Sequence, residues 1–197
     1  MGTWIFLRHG ESEANKARVF SGHQDVALTA LGRQQATEAG AGVHALLDQQ
    51  PLVVAWSSDL QRAMETGQRC LEAAGIKLPL QTHKGLRERH LGHWQGQDID
   101  RLKAEGARKV LTSWNGAAPG GESLAQMSKR ALQMLVNIDE SGPVLLVGHG
   151  GLIRALVGLI DGTPLEEIGR LNILNAVPIC RTVRRGQWAE IAQRIAG

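Results

Sequence analysis

The chain is 197 residues long, 43% hydrophobic and 21% charged, the proportions of a folded globular protein and not of a disordered one. Its 22 basic residues exceed its 19 acidic ones by three. They are scattered, from Lys84, Arg87 and Arg89 through Lys103, Arg108 and Lys109 to Arg181, Arg184 and Arg185, so no nucleic-acid arm is built and a small anionic ligand suffices to explain the basic balance.

The first element is a short apolar run, Trp4 to Leu7, that passes directly into Arg8-His9-Gly10. Such a run reads as a buried strand that delivers charged residues to its carboxyl end. The run is too short for a signal peptide, and Phe6 stands where a myristoylation signal needs Ser or Thr. Glu11 to Asp25 reads as polar, irregular chain. Thr29 is the expected N-cap of a helix carrying Leu31, Gln35, Ala39, Val43 and Leu46-Leu47, closed by Pro51. Leu52 to Trp56 is a second buried strand. Ser57-Ser58-Asp59 is a capping cluster for a helix from about Leu60 to Ala74, which Gly75 ends. Leu78 to Thr82 is a short edge strand, since it contains Pro79.

Lys84 to Gln97 reads as a loop rich in charge, His and Gly, followed by a modest helix over Asp98 to Val110. A helix begins after Gly120-Gly121-Glu122-Ser123 and runs to about Asn137, and Asp139 to Pro143 is a turn. Val144 to Val147 is the clearest buried strand, ending in Gly148-His149-Gly150-Gly151 and a helix to about Ile160. That helix contains Arg154, and no segment here approaches membrane-spanning length. Val177 to Val183 and Trp188 to Ala192, separated by Arg184-Arg185-Gly186, have the pattern of a C-terminal hairpin. Alternating strands and helices predict an α/β fold, one domain over residues 1–197, with a mostly parallel central sheet and helices on both faces. Cys70 and Cys180 lack metal-type spacing and read as free buried thiols, which fits a cytoplasmic protein.

Three predicted strands end in chemistry: at Arg8-His9-Gly10, at Ser57 to Ala63, and at Gly148-His149-Gly150. Parallel strands would bring these ends to one sheet edge, where open α/β sheets bind ligands. Arg8 offers a fork of donors matched to phosphate, and His9 can be a neutral nucleophile near pH 7. Gly10 would allow a sharp turn and the close approach of a ligand.

These motifs resemble, in order along the chain, those of the histidine phosphatase superfamily, which includes the cofactor-dependent phosphoglycerate mutases. Besides the first and last histidine motifs, Ser57 to Thr66 is similar to its Ser-x-x-x-Arg-Ala helix start, with Arg62 matching the phosphate-binding arginine. Leu86-Arg87-Glu88 to Gly96 resembles its Leu-x-Glu…Gly-x-Trp-Glu-Gly loop, with Gln95 in place of the second Glu, and Gly121-Glu122-Ser123 matches its Gly-Glu-Ser segment. The resemblance implies a phosphoglycerate mutase-like fold and a catalytic set of His9, Arg8, Arg62, Glu88 and His149. It implies further phosphoryl contacts at Asn15, Ser21, Gly22 and Gly150, with Glu88 as proton donor; no metal or cofactor is expected, because the chain lacks metal-ligand spacing and has cationic side chains for the phosphate. Asp98 is a second candidate acid in the region of Glu88. His90 and His93 read as pocket rim or surface, and Trp94 is the tryptophan expected nearest the pocket.

The expected activity is a metal-independent phosphomonoesterase of the histidine acid phosphatase type. It would act on a small anionic phosphorylated metabolite through a phosphohistidine; the sequence leaves open whether the protein is a homodimer. A mutase is the near rival, but only Arg89 to Pro119 separates Glu88 from Gly120, where mutases resembling this chain carry a long insertion with basic residues for the glycerate carboxylate. Arg108-Lys109 could be a remnant of that pair. A non-catalytic phospho-ligand module would have no need of His9 and Glu88. Gly10-Glu11-Ser12-Glu13-Ala14 and Gly121-Glu122-Ser123-Leu124-Ala125 mimic a serine-hydrolase elbow, but neither serine directly follows a strand. The glycines around His149 half-match a dinucleotide fingerprint in which Ile153 replaces the last glycine.

Overall fold

Strand β1 (Gly2–Arg8) sends Trp4 and Phe6 to one side of a sheet and Ile5 and Leu7 to the other, and all four are fully buried. A strand apolar on both faces needs helices on both sides. The computed structural model describes residues 1–138 and 142–196.

Helix α1 (Glu13–Lys16) lies where the sequence reads as irregular; Ser12 and Asn15 close it with a capping box. Helix α2 (Ala30–Leu46) starts at Thr29, whose side chain accepts the Gly32 N–H. Strand β2 (Val54–Ser57), helix α3 (Gln61–Ala73) and strand β3 (Leu80–Thr82) follow as expected. The cap of α3 comes from elsewhere, since Asp25 accepts the Gln61 N–H at 2.8 Å. Two short 3₁₀ turns, Lys84–Leu86 and Gly92–Trp94, shape the next loop. The single helix expected over Asp98 to Val110 is two helices, α4 (Ile99–Ala104) and α5 (Ala107–Thr112). They are divided at Gly106, whose φ of 94° suits a residue without a side chain.

Helix α6 (Leu124–Leu135) begins at Ser123 with a second capping box. Of the turn expected over residues 139–143, Asp139, Glu140 and Ser141 lie outside the described residues. Strand β4 (Val144–Gly148), helix α7 (Gly150–Ile160), helix α8 (Leu165–Ile168) and strand β5 (Ile179–Val183) complete the alternation. The sheet order is β3-β2-β4-β1-β5, parallel except for β5. Ile5, Leu7, Leu145 and Val147 pack against α2 and α3, and Trp4, Phe6, Val144 and Leu146 against α6, α7 and the C-terminal segment.

That C-terminal segment corrects the hairpin expectation. Residues Gln187–Ala196 form helix α9. The apparent alternation within Trp188 to Ala192 covers five residues, too few to separate the two periods. Extended to Ile195, the apolar positions are Trp188, Ile191, Ala192 and Ile195, one helical face. Trp188 is buried and meets Trp4 edge to face, with ring centroids 5.1 Å apart. Among the described residues no helix is long and apolar enough to cross a membrane.

Candidate active site

The parallel pairing of β2, β4 and β1 brings their three carboxyl ends to one edge, as the motif order requires. Arg8 is in register with Gly148, and the His9 N–H donates to the Gly148 carbonyl at 2.9 Å. A cavity of about 1300 Å³ opens at this edge. Arg8, His9, Arg62 and Glu88 line it, as do Asn15, Ser21, Gly22 and Gly150. His149 is not in the wall. It is fully buried, its ring edge-on to His9 with centroids 5.2 Å apart, and its Nε2 lies 2.9 Å from Ser58 Oγ.

The His9 ring is fixed by its own backbone neighbourhood. Nδ1 donates to the Gly10 carbonyl at 2.7 Å. A carbonyl only accepts, so the neutral ring carries its proton on Nδ1 and its lone pair on Nε2. Burial, then the charges of Arg62 and Arg8, hold the His9 pKa well below 6.5. His149 is held down likewise, first by burial and then by Arg62 and His9. Both imidazoles are therefore neutral at neutral pH.

The two phosphate-matched arginines are anchored through part of their forks. Arg62 donates to the carbonyls of Gln24 and Gly22, each at 2.8 Å, which ties the loop after α1 to the first turn of α3. Arg8 donates from Nη1 to the Ile173 carbonyl at 2.6 Å. The Nε atoms of both are buried without a partner. Burial lowers the Arg62 pKa to about 10, which leaves it charged at neutral pH.

Glu88 faces this cluster from the opposite loop. Its Oε1 accepts the Arg89 N–H at 2.8 Å and its Oε2 the Gly151 N–H at 2.9 Å, the latter in the first turn of α7. The loop is held from behind by Arg130 of α6, which donates to the carbonyls of Lys84, Gly85, Arg87 and Glu88 and pairs with Glu122 at 2.9 Å. His23 donates to the Glu88 carbonyl at 2.7 Å, and Arg87 grips Asp59 through two hydrogen bonds. Glu122 also accepts the His90 N–H, so the Gly-Glu-Ser segment both starts a helix and braces the loop that carries Glu88. Gln95 accepts the His23 N–H at 2.8 Å, joining the loops on either side of the cavity mouth.

Several sequence expectations need revision. Gly10 does not line the cavity; a Cβ there would collide with the Gly32 main chain, so its bareness serves the packing of α2. Trp94 is not in the wall either, but stacks on Phe20, which is. Asp98 is exposed and caps α4 by accepting the Arg101 N–H, which removes it as a rival to Glu88. Ser12 and Ser123 are helix caps. His90 turns its Nδ1 to the Gly92 N–H, and among the described residues no three His, Cys, Asp or Glu side chains form a metal-like cluster.

Other functional neighbours were not singled out in the sequence. Asn175 donates to the His9 carbonyl at 2.8 Å and reaches Asn15 at 3.4 Å. Arg89 and Arg154 line the cavity, as do Lys103 and Arg170 at its outer side together with Arg108 and Lys109, the pair noted in the sequence. Glu88 is the acidic side chain in this wall among the described residues. Arg154 lies four residues after Gly150, a spacing that sets both on one helical face and could have marked it.

Residues 4–193 match the model of the histidine phosphatase superfamily (branch 1). A glucosyl-3-phosphoglycerate phosphatase of Mycolicibacterium vanbaalenii is 36% identical over 95% of this chain and 83% of its own. A 2,3-bisphosphoglycerate-dependent phosphoglycerate mutase of Parvibaculum lavamentivorans is 33% identical over 89% of this chain and 87% of its own. Among solved structures, a mycobacterial glucosyl-3-phosphoglycerate phosphatase in complex with VO3 superposes with a TM-score of 0.81 at 32% identity, covering 91% of this chain and 92% of that one.

Proposed function

This chain belongs to the histidine phosphatase superfamily, branch 1, and from that premise we propose that it hydrolyses monoesters of small anionic metabolites through a phosphohistidine at His9. The observation that carries this reading is the His9–Gly10 hydrogen bond, which leaves the Nε2 lone pair free in a ring that lines the same cavity as Arg8 and Arg62.

The phosphoryl dianion sits between Arg8 and Arg62, with Asn15, Ser21 and the main chain of Gly22 and Gly150 around it. The N-terminus of α7 adds partial positive charge. Nε2 of His9 attacks phosphorus, the P–O bond to the alcohol breaks, and protonated Glu88 gives its proton to the departing oxygen. Water then attacks the phosphohistidine, Glu88 takes a proton from it, and the N–P bond breaks to free phosphate. Each Glu88 oxygen spends one lone pair on a main-chain N–H and keeps the other for this traffic. His149, edge-on to His9 and neutral, keeps the His9 ring in place.

The test is chemical trapping. Labelled substrate quenched in alkali should leave label on His9, and His9→Ala should abolish turnover; label on Ser12 or Ser123 would overturn the mechanism.

One observation favours a second reading, phosphoglycerate mutase. Arg108 and Lys109, in the short segment after Glu88, do line the cavity, and the relatives include mutases as well as phosphatases. Supplying 3-phosphoglycerate with a catalytic amount of the bisphosphorylated glycerate separates the two. Rapid interconversion with little free phosphate would make the enzyme a mutase.

A further inference from the structure

We infer that Gln35, Thr66 and Asn175 are positioning residues for the nucleophile. Together they pin the two peptide units around Gly10, so that the Gly10 carbonyl stays on His9 Nδ1 and the lone pair stays on Nε2. The inference rests on the hydrolase reading, in which His9 attacks phosphorus, and deepens it.

A peptide unit is a rigid plane, so its C=O and N–H turn together. The His9 carbonyl and the Gly10 N–H share one such plane. Asn175 Nδ2 donates to that carbonyl at 2.8 Å, and the Gly10 N–H donates to Thr66 Oγ1 at 3.1 Å. The Gly10 carbonyl and the Glu11 N–H share the next plane. This carbonyl accepts from His9 Nδ1 at 2.7 Å, and the Glu11 N–H donates to Gln35 Oε1 at 2.8 Å. Each plane is therefore held at both ends. The residue joining the two planes is a glycine, which tolerates the widest range of backbone angles, so the order of this turn has to come from outside it.

The three side chains arrive from α2, α3 and the segment between α8 and β5. Their chemistry fixes which atom each presents. Thr66 is fully buried and gives its hydroxyl proton to the Arg62 carbonyl at 2.7 Å, which leaves an oxygen lone pair for the Gly10 N–H. Asn175 must turn its amide nitrogen to a carbonyl, and Gln35 its amide oxygen to an N–H. Next to Asn175, Ala176 donates its N–H to the Arg8 carbonyl at 2.9 Å and has a φ of 53°, a left-handed angle that alanine adopts only at a cost. That angle is kept where the chain bonds to Arg8 and His9 in succession. With the Gly10 carbonyl released, the imidazole could swing and its proton could move to Nε2, the atom that must carry the lone pair for attack.

Nitrogen NMR of isotopically labelled protein reads the His9 ring directly, its signals being assigned by their loss in His9→Gln. The native ring should be a single Nδ1–H tautomer. Gln35→Leu, Thr66→Val and Asn175→Leu keep the size of each side chain but not its bond, and each should give a mixture of tautomers. Rapid-quench phosphorylation of His9 should slow by roughly tenfold to a hundredfold in each, the scale of a small misplacement of a reacting group. Alkyl and aryl esters should slow equally, because the nucleophile and not the acid is disturbed. Inhibition by inorganic phosphate should stay native in Gln35→Leu and Thr66→Val, which leave Arg8 and Arg62 in place. Thr66→Ser keeps the hydroxyl and should recover tautomer and rate together. A lowered melting temperature with native tautomer and native rate would make the three residues structural and overturn the inference. A mixed tautomer in the native ring would also overturn it, and that spectrum decides even where a variant fails to fold. The ring spectrum needs no turnover, which keeps the two readings apart. A native enzyme that hydrolyses no monoester, with the tautomer change seen in the variants, would sink the hydrolase reading alone; turnover with the tautomer unmoved in all three variants would sink the positioning alone.

Discussion

The Glu88 carboxylate lies directly over Gly151, receiving its N–H at 2.9 Å in a space that a Cβ on residue 151 would have to share with Oε1. The Glu88 carboxylate, the general acid of the proposed mechanism, and the start of α7 are thus fitted to each other. Gly151→Ala should move Glu88 out of line while leaving the fold intact, since Ala favours a helix over Gly by about 1 kcal/mol. Steady-state assays should show alkyl phosphate hydrolysis slowed by at least tenfold with a melting temperature close to the native one. Unchanged kcat would mean that the carboxylate position does not matter.

Glu88→Gln isolates the proton itself. Glutamine keeps an oxygen for one main-chain N–H but cannot donate as an acid. Alkyl phosphates should slow by about a hundred- to ten-thousand-fold, the usual worth of general acid catalysis. An aryl ester with an acidic phenol needs no proton and should be phosphorylated onto His9 with little loss, then stall as a burst because the base for water is gone. Rapid-quench kinetics on the two ester types decide it. Equal slowing of both phosphorylation steps would remove Glu88 from the acid role.

The parts of this molecule that the sequence announced are those with a local signature. Trp4 to Leu7 and Val144 to Val147 are continuous apolar runs that each stop one residue before a histidine, so the strands and the motifs at their ends were legible together. Thr29 was legible because an N-cap acts within one turn. Helix α9 was not, because Trp188 to Ala192 alone fits both periods, and the window must reach Ile195 before the helical face that packs on Trp4 stands out. Arg154 looked like an interruption in an apolar helix, and Arg130 like an ordinary helix residue. Their roles depend on carbonyls 15 and more residues away, which no spacing rule connects.

Arg130 is the residue whose loss should separate loop order from chemistry. It donates to four carbonyls of the loop that carries Glu88 and pairs with half-buried Glu122. Arg130→Ala should cost roughly 2–3 kcal/mol of stability, a charged hydrogen-bond cluster discounted for partial solvent access. It should also lower kcat on alkyl esters more than on aryl esters, because Glu88 loses its support. Arg130→Lys restores charge but not the fork and should recover only part of both. Urea unfolding with the two-ester assay measures the pair of effects; a stability loss with an unaltered alkyl-to-aryl ratio would confine Arg130 to holding the fold.

The buried histidines give the protein a pH signature with a definite sign. His9 and His149 are both held well below 6.5, chiefly by burial and then by neighbouring cations. In the unfolded chain each takes up a proton near pH 6.5, while the native forms stay neutral, so the unfolded state binds more protons as pH falls. Stability is therefore complete above pH 6.5 and is lost between there and the depressed native values. Two such groups give a slope of at most about 2.7 kcal/mol per pH unit. Denaturant titrations at pH 7.5, 6.5 and 5.5 should show a flat upper interval and a falling lower one, in a range where carboxylates remain ionised. Replacing His149 with Gln, which cannot charge, should remove one group's share of the slope, the rest coming from His9 and from half-buried His23, whose pKa burial also lowers. A folding free energy that stays level from pH 7.5 to 5.5 would mean that these imidazoles titrate normally, and the neutral His9 required for attack would then be a minority form below pH 6.5.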